Sequence, residues 1–542
     1  MSKSRANAET LRTALVAGDV TNANFTGADL ELGKGGTGAS TAGAARTALG
    51  VVIGTDVLAP NGSAANLTNL PASGTAEFVA SGVLANGDTV IINANGTVSV
   101  VAETINTTPV VGTPVVFEAA NSNYISVAYD SNSKKIVVAY QDIGNSQYGT
   151  AIVGQVSGNT ISFGTAVVYN SVSSAWTSVA FDSSNNKIVI TWNQSGSYSR
   201  AIVGTVSGTS ISFGSPVIYS TGSDTHLSAV FDSTNNKIVI AYSDGNNNNY
   251  GTAIVGTVSG TDISFGGATV FKTETVIWVA ATYDSTNNRV VISYRDFGNN
   301  DYGTSSVGTV SGTGISFANA VVFKSARVDN VETTFDSSNG KVVIVWASQT
   351  NPKYGLAIVG TVSNTSISFG SMATFKNAAV TDVNITYDSK ASKVVISYVQ
   401  SNVGKMIVGT VAGTNISFAS DTTFASGSFT RMESAYDSQN EKVVAVYRNG
   451  SNSSYGTSVV FASQTSATNM TTENYIGVSD GAYSNAATAT IQIIGSIDDA
   501  QTGLTAGKSH YVQKNGSLST SPNTPSVFAG TAVSATKLII KG

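Results

Sequence analysis

The sequence predicts a mostly β protein built around a seven-bladed β-propeller, with short N-terminal helices and small β modules on both flanks. Two observations carry the prediction. An aromatic-Asp-Ser triplet recurs seven times, with its aspartates at Asp130, Asp182, Asp232, Asp284, Asp336, Asp388 and Asp437, in steps of 52, 50, 52, 52, 52 and 49 residues. A period near that length is what a propeller blade of four strands requires. In addition, only 11% of the residues are charged, while Gly, Ser, Thr, Asn, Ala and Val fill the chain. Such a composition suits short strands and tight turns rather than a helical enzyme.

Each copy reads the same way. In the second, residues 176–182 alternate as a first strand and 183–186 form a turn. Residues 187–192 and 200–208 follow as the second and third strands, and 209–214 with 216–220 as the fourth and its exit. The seventh copy stops after its third strand. The missing fourth strand is expected from Thr107–Phe117, which resembles the fourth strand and exit of the other copies. An N-terminal strand completing the last blade would close the ring and remove exposed sheet edges. The propeller is therefore set at residues 107–465.

Ahead of it, residues 6–17 read as a short helix with Leu11 and Leu15 on one face and Gly18 as its stop. Gly33, Gly35 and Gly38 match a dinucleotide fingerprint, but no buried strand precedes them and no βαβ unit surrounds them. They read as a glycine turn, with Ser40 capping a second short helix. Residues 1–60 thus form a helical N-terminal segment. Residues 61–106 read as a connector and a small β module around the Asn95-Gly96 hairpin. Residues 466–542 form a C-terminal β module, in which Gly507–Ser519 aligns with Gly87–Ser99.

Two stretches carry a family resemblance. GKGGTGASTAGAARTALGV (33–51) resembles a segment that recurs in bacteriophage tail fibre proteins, and the opening MSKSR is similar to starts of marine-phage virion proteins. Residues 475–542 also look like a terminal β module of phage tail and fibre proteins. The resemblance implies a virion surface appendage, often trimeric. Its N-terminal segment would be held by other virion proteins of the tail, baseplate or capsid.

Composition also bounds the chemistry. A net charge of −5 over 542 residues gives no reason to expect a nucleic-acid partner. Without cysteine there is no thiolate nucleophile, thiolate metal site or disulfide, and with only His226 and His510 no multi-histidine metal centre is expected. No cofactor is expected either. The N-terminus has no apolar signal core, and no run of 18 apolar residues exists to span a membrane.

Seven identical aspartates ahead of Ser/Asn-rich turns read as turn formers, because an Asx side chain bonds the backbone two residues on. The same scaffold reading covers Tyr148, Tyr198, Tyr250, Tyr302, Tyr354 and Tyr455, which open third strands. Function is expected where the copies differ. The residue opening each first strand is Tyr124, Trp176, His226, Trp278, Asn330, Asp382 or Arg431. If first strands are innermost, these seven ring the channel mouth. Arg295, Asp296, Lys272, Lys324, Arg327 and Lys376 lie in the neighbouring loops. Aromatic rings stack on sugar C–H faces, and Asp, Asn and Arg bond hydroxyls, so the ring is a candidate for binding host-surface polysaccharide. The alternative is that the aromatic rings simply plug the channel. A hydrolase would need a carboxylate pair over the cup, for which Glu332, Asp382 and Glu433 are candidates, with Asn384 between. No arginine cluster or sialidase Asp-box accompanies them, and the chain is expected to be non-catalytic. The functional expectation is a receptor-binding fibre, with a head fibre or other decorating virion protein as the alternative and a depolymerase a distant third.

Overall fold

The computed structural model describes residues 74–194, 197–349 and 354–541. The expected helices at 6–17 and after Ser40, the glycine-rich segment and residues up to 73 of the connector lie outside the described residues. Those described are almost entirely strand and turn, with 3-10 turns at Ile143–Asn145 and Phe297–Asn299.

Two compact units emerge. One is a continuous body of residues 105–465; the other joins 74–104 to 466–541. The expected propeller boundary of 107–465 therefore lies within two residues of the first unit. The expected 61–106 module does not stand by itself. Strands Thr75–Val79, Thr89–Ile92 and Val98–Val100 share one five-stranded sheet with Tyr475–Ser479 and Thr488–Gln492. The strands pair in alternation across the intervening chain, so this sheet needs both flanks, whereas a second five-stranded sheet forms within residues 497–540 alone.

The 105–465 unit is propeller-like and repeats one antiparallel pattern seven times. In the first copy, the end of Val115–Asp130 pairs with Lys135–Asp142, which pairs with Tyr148–Ser157. That third strand is covered by Thr160–Phe163 along one half and by residues 167–173 along the other. The second strands read as near-continuous apolar runs because both faces are covered: Ile136, Val137, Val138, Ala139 and Tyr140 are all fully buried. Apolar clusters form between adjacent copies, and one unites Ile136 and Val138 of the first copy with Val444 and Val446 of the seventh.

The exit and the next first strand were expected as separate elements. In four copies they are one 16-residue strand, as in Val167–Asp182 and Thr269–Asp284. The strand bends at bulges, where its register shifts as it leaves one partner and joins the next. Because these strands run through, copies seven, one and two form a 13-stranded sheet, copies three to five another, and copy six a five-stranded one. No sheet closes on itself. The circuit is made by side-chain packing: each first strand lies against the next, and that of the seventh copy lies against that of the first.

The seventh copy borrows its fourth strand as expected. Val110–Val111 and residues 115–121 pair with Tyr455–Ala462. Gly112 then takes the place that Gly164 holds in the first copy. A Cβ on Gly164 would lie 2.0 Å from the Thr209 carbonyl oxygen, and one on Gly112 would lie 1.8 Å from that of Asn159. Both glycines thus let a neighbouring copy's turn approach the backbone.

Candidate functional site

The repeated aspartate is a turn former, as its position suggests. In every copy its Oδ1 accepts the backbone N–H groups two and three residues on; Asp284 takes those of Thr286 and Asn287 at 2.9 Å each. In five copies an Asn side chain also donates to Oδ2, as Asn287 does at 2.8 Å. All seven carboxylates are buried.

At the other end of each first strand sits a bulge. The register against the second strand skips two residues in all seven copies, between Asn123 and Ser126, Ala175 and Ser178, and at the five equivalent places. The first residue of each bulge is Tyr124, Trp176, His226, Trp278, Asn330, Asp382 or Arg431. Every one has positive φ, from 44° at Tyr124 to 57° at Arg431. L-residues with bulky side chains pay for that conformation, and glycine would adopt it freely.

The structure brings five of the seven, from Arg431 through Trp278, into one stacked arc. Tyr124 and Trp176 have ring centroids 5.2 Å apart, Trp176 and His226 4.4 Å, and His226 and Trp278 5.4 Å. The Arg431 guanidinium closes the arc, 4.9 Å from the Tyr124 ring and 5.7 Å from that of Trp176. Its backbone N–H donates to Asp382 Oδ1 at 3.0 Å. All seven residues are half-buried. The rings pack on one another, and each still leaves part of its surface open. Burial and the nearby Arg431 and Arg295 guanidiniums push His226 down to about 4, so its ring is neutral at neutral pH. Burial also raises the Asp382 carboxyl above its ordinary value.

A second tier lies two residues along the same strands: Ser126, Ser178, Ser228, Ala280, Glu332, Asn384 and Glu433. Three of its serines accept a backbone N–H from the neighbouring first strand, at Val179, Ala229 and Ala281. Asn384 donates to Glu433 Oε2 at 2.9 Å and accepts from Ser434 Oγ at 2.5 Å. Burial, then the neighbouring Glu433 charge, raises Glu332 well above the usual carboxylate range. Burial pushes Glu433 up to about 7 against the Asn384 hydrogen bond. The two glutamates picked from the sequence therefore interact. The serine tier escaped the sequence reading, although its fixed offset of two from the variable position is visible there.

Three of the loop cations, Arg295, Lys272 and Lys376, are held in close ion pairs. Arg295, 5% exposed, is paired with Asp301 and Asp329. Lys272 lies 2.9 Å from both Glu274 and Asp296. Lys376 belongs to a separate feature, a shallow surface cavity of about 690 Å³ between the fifth and sixth copies, lined by Tyr354, Asn377, Ser420 and Asp421 among others. Burial alone would raise the Asp421 carboxyl, but Lys376, Lys405 and Tyr398 all donate to it and hold it below the usual range. Among the described residues, no group of three or more His, Cys, Asp or Glu side chains is set to hold a metal ion. Nor is any helix long and apolar enough to cross a membrane.

No protein-family model and no curated protein matches the chain. Solved propellers do. The BP39L lectin from Burkholderia pseudomallei aligns at 8% identity with a TM-score of 0.50, covering 65% of this chain and 98% of the lectin. The β-propeller domain of Myceliophteria thermophila Cps50 (Swd1) aligns at 8% identity and a TM-score of 0.44, over 64% of this chain and 98% of its own. The Dos1 propeller aligns at 12% identity and a TM-score of 0.41, over 65% and 95%. The likeness to the lectin supports a propeller fold, and at this identity it concerns the fold alone.

Proposed function

We propose that residues 105–465 form a seven-bladed propeller that binds glycans without cleaving them, and that the chain is a phage tail fibre or comparable virion appendage adhering to host-surface polysaccharide. The observation that carries the binding reading is the bulge ring. Seven strained backbone positions hold Tyr, Trp, His, Trp, Asn, Asp and Arg, and none holds the glycine that local energetics favour. Backbone strain that is retained where a cheaper residue exists points to work done by the side chain. The work fits a sugar: partly open aromatic edges with an amide, a carboxyl and a guanidinium at the same level. The solved BP39L lectin shows that a propeller-like fold of this kind can serve as a lectin scaffold. Seven repeats whose first strands pack in a closed circuit support the blade count. The virion assignment rests on the fibre-like segments at 33–51 and 475–542.

The test is binding of the purified chain to host lipopolysaccharide and capsule. Trp176→Ala combined with Trp278→Ala is expected to abolish it. Because both rings also pack, Asn330→Gly is the companion variant, expected to hold stability within about 1 kcal/mol and to weaken binding several-fold. Unchanged binding in both would sink the ring as the site. Reducing-sugar release lost in Glu433→Gln would replace binding by hydrolysis, and imaging the labelled protein on particles would settle tail against head.

A further inference from the structure

The second unit contains the same object twice. Its two sheets have one topology. In the first, the spatial order is Thr75–Val79, Thr488–Gln492, Tyr475–Ser479, Thr89–Ile92, Val98–Val100. In the second it is Ile497–Asp498, Leu538–Ile540, Val527–Ala532, Ser509–Val512, Leu518–Ser519. Ranked along the chain, both read first, fifth, fourth, second, third.

The agreement extends to single hydrogen bonds. The second-to-third hairpin is closed by Asn93 N–H to Thr97 O and Gly96 N–H to Asn93 O in one sheet. In the other it is closed by Gln513 N–H to Ser517 O and Gly516 N–H to Gln513 O. Thr97 Oγ1 donates to Asn95 Oδ1 at 2.7 Å, and Ser517 Oγ to Asn515 Oδ1 at 2.7 Å. Gly87 N–H and Asp88 O bond Ser479 as Gly507 N–H and Lys508 O bond Ala532. The fourth strands are bulged alike. A Cβ on Gly477 would sit 1.9 Å from the Gln492 carbonyl oxygen, and one on Gly530 would sit 2.0 Å from that of Ile539. Chance does not reproduce a strand order, a hairpin and a bulge together.

One connection differs. In the second copy, residues 520–526 join the third strand to the fourth. In the first copy the same join is made by residues 101–474, which contain the whole 105–465 unit. The two ends of that excursion are stitched together: Ala102 N–H donates to Asn469 Oδ1 at 2.8 Å, Asn469 Nδ2 to Val100 O at 2.9 Å, and Asn469 N–H to Ala102 O at 3.2 Å. Beyond them Glu103–Asn106 and Thr465–Thr468 pair as a two-stranded ribbon. Chain ends held this close are what an inserted domain needs from its host.

We propose that residues 74–104 and 466–541 are a mount made of two copies of one five-stranded module, that the propeller is a guest inserted between the third and fourth strands of the first copy, and that the loop 520–526 is the second copy's equivalent, unfilled acceptor position. The mount's work is presentation: it holds a binding domain by two adjacent strand ends while its own core stays intact. That core, with Ile91 and Val478 of the first copy against Val512, Val527 and Leu538 of the second, draws on both modules.

The test uses the full chain. A small folded reporter domain with adjacent termini is inserted between Asn523 and Thr524, and, as a control, into the tight 533–537 turn that Val533 N–H closes onto Lys537 O at 2.8 Å. Calorimetry is expected to resolve one transition for the propeller and one for the mount. The 523/524 insertion is expected to leave both within about 2 °C, and the control to collapse the mount transition. Gly477→Ala and Gly530→Ala are each expected to lower the mount transition alone. Equal damage from the two insertions, or a propeller transition that falls with either glycine variant, would overturn the proposal.

Discussion

At the scale of the residue, the bulge positions separate stability from function. Asn330 sits at φ 50°. Asn330→Val puts a β-branched side chain into that conformation and is expected to cost about 1–3 kcal/mol in denaturant unfolding. Asn330→Gly relieves the strain but loosens the unfolded chain, and is expected to fall within about 1 kcal/mol of zero. A valine variant as stable as the parent would show that the bulge relaxes at little cost.

The same tiers set an opposed pH dependence. Glu433 titrates near 7 in the folded chain, above its ordinary value, because burial disfavours its charge. Its contribution is therefore fully present below about 4.5 and lost as pH rises through 7. His226 is pushed down to about 4, so its contribution is present above about 6.5 and lost as pH falls through 4. Glu433→Gln is expected to flatten the decline of stability between pH 5 and pH 8 and to leave the acid limb in place. A decline of unchanged slope in thermal melts across that range would remove Glu433 as its cause.

At the scale of the element, the inner strands do two jobs at opposite ends. One end closes with the Asx turn, where the chemistry is local. Asp284→Ala strands the N–H groups of Thr286 and Asn287 and is expected to cost about 1–3 kcal/mol. A loss under 0.5 kcal/mol, on the scale of an ordinary surface change, would mean that water replaces the carboxylate. The other end opens with the bulge, which re-aims one side chain per strand. Sequence comparison of the copies located that position because its residues vary while their surroundings repeat. It could not reveal the positive φ, since Tyr, Trp and Arg do not advertise a left-handed backbone. Nor could it show that exit and entry strands fuse in four copies, because strand continuity depends on partners from two different repeats.

At the scale of the whole molecule, one borrowed strand joins the seventh copy to the first. Gly112→Ala would press a methyl group into the Asn159 carbonyl at the junction of the seventh and first copies. It is expected to lower the propeller's unfolding transition by several degrees, and no change in that transition would mean that the junction is not under load. The borrowed strand was legible because the seventh copy visibly lacks its SISF-like unit and a matching segment precedes the first. The mount was only half legible. The likeness of 87–99 to 507–519 shows in the residues, but the pairing of Thr75–Val79 with Thr488–Gln492 spans the entire propeller, and no local pattern records a partner that distant.

The sequence by itself determined the repeat count, the period, the turn chemistry of the aspartates and the position at which the copies diverge. Each of these is written in local residue order. Only the tertiary structure decided that five of the seven divergent side chains stack into one arc, that the Glu433 charge acts on the buried Glu332, and that strands of the two flanks share one sheet. Those outcomes depend on which strands become neighbours, and that is settled by packing among residues far apart in the chain.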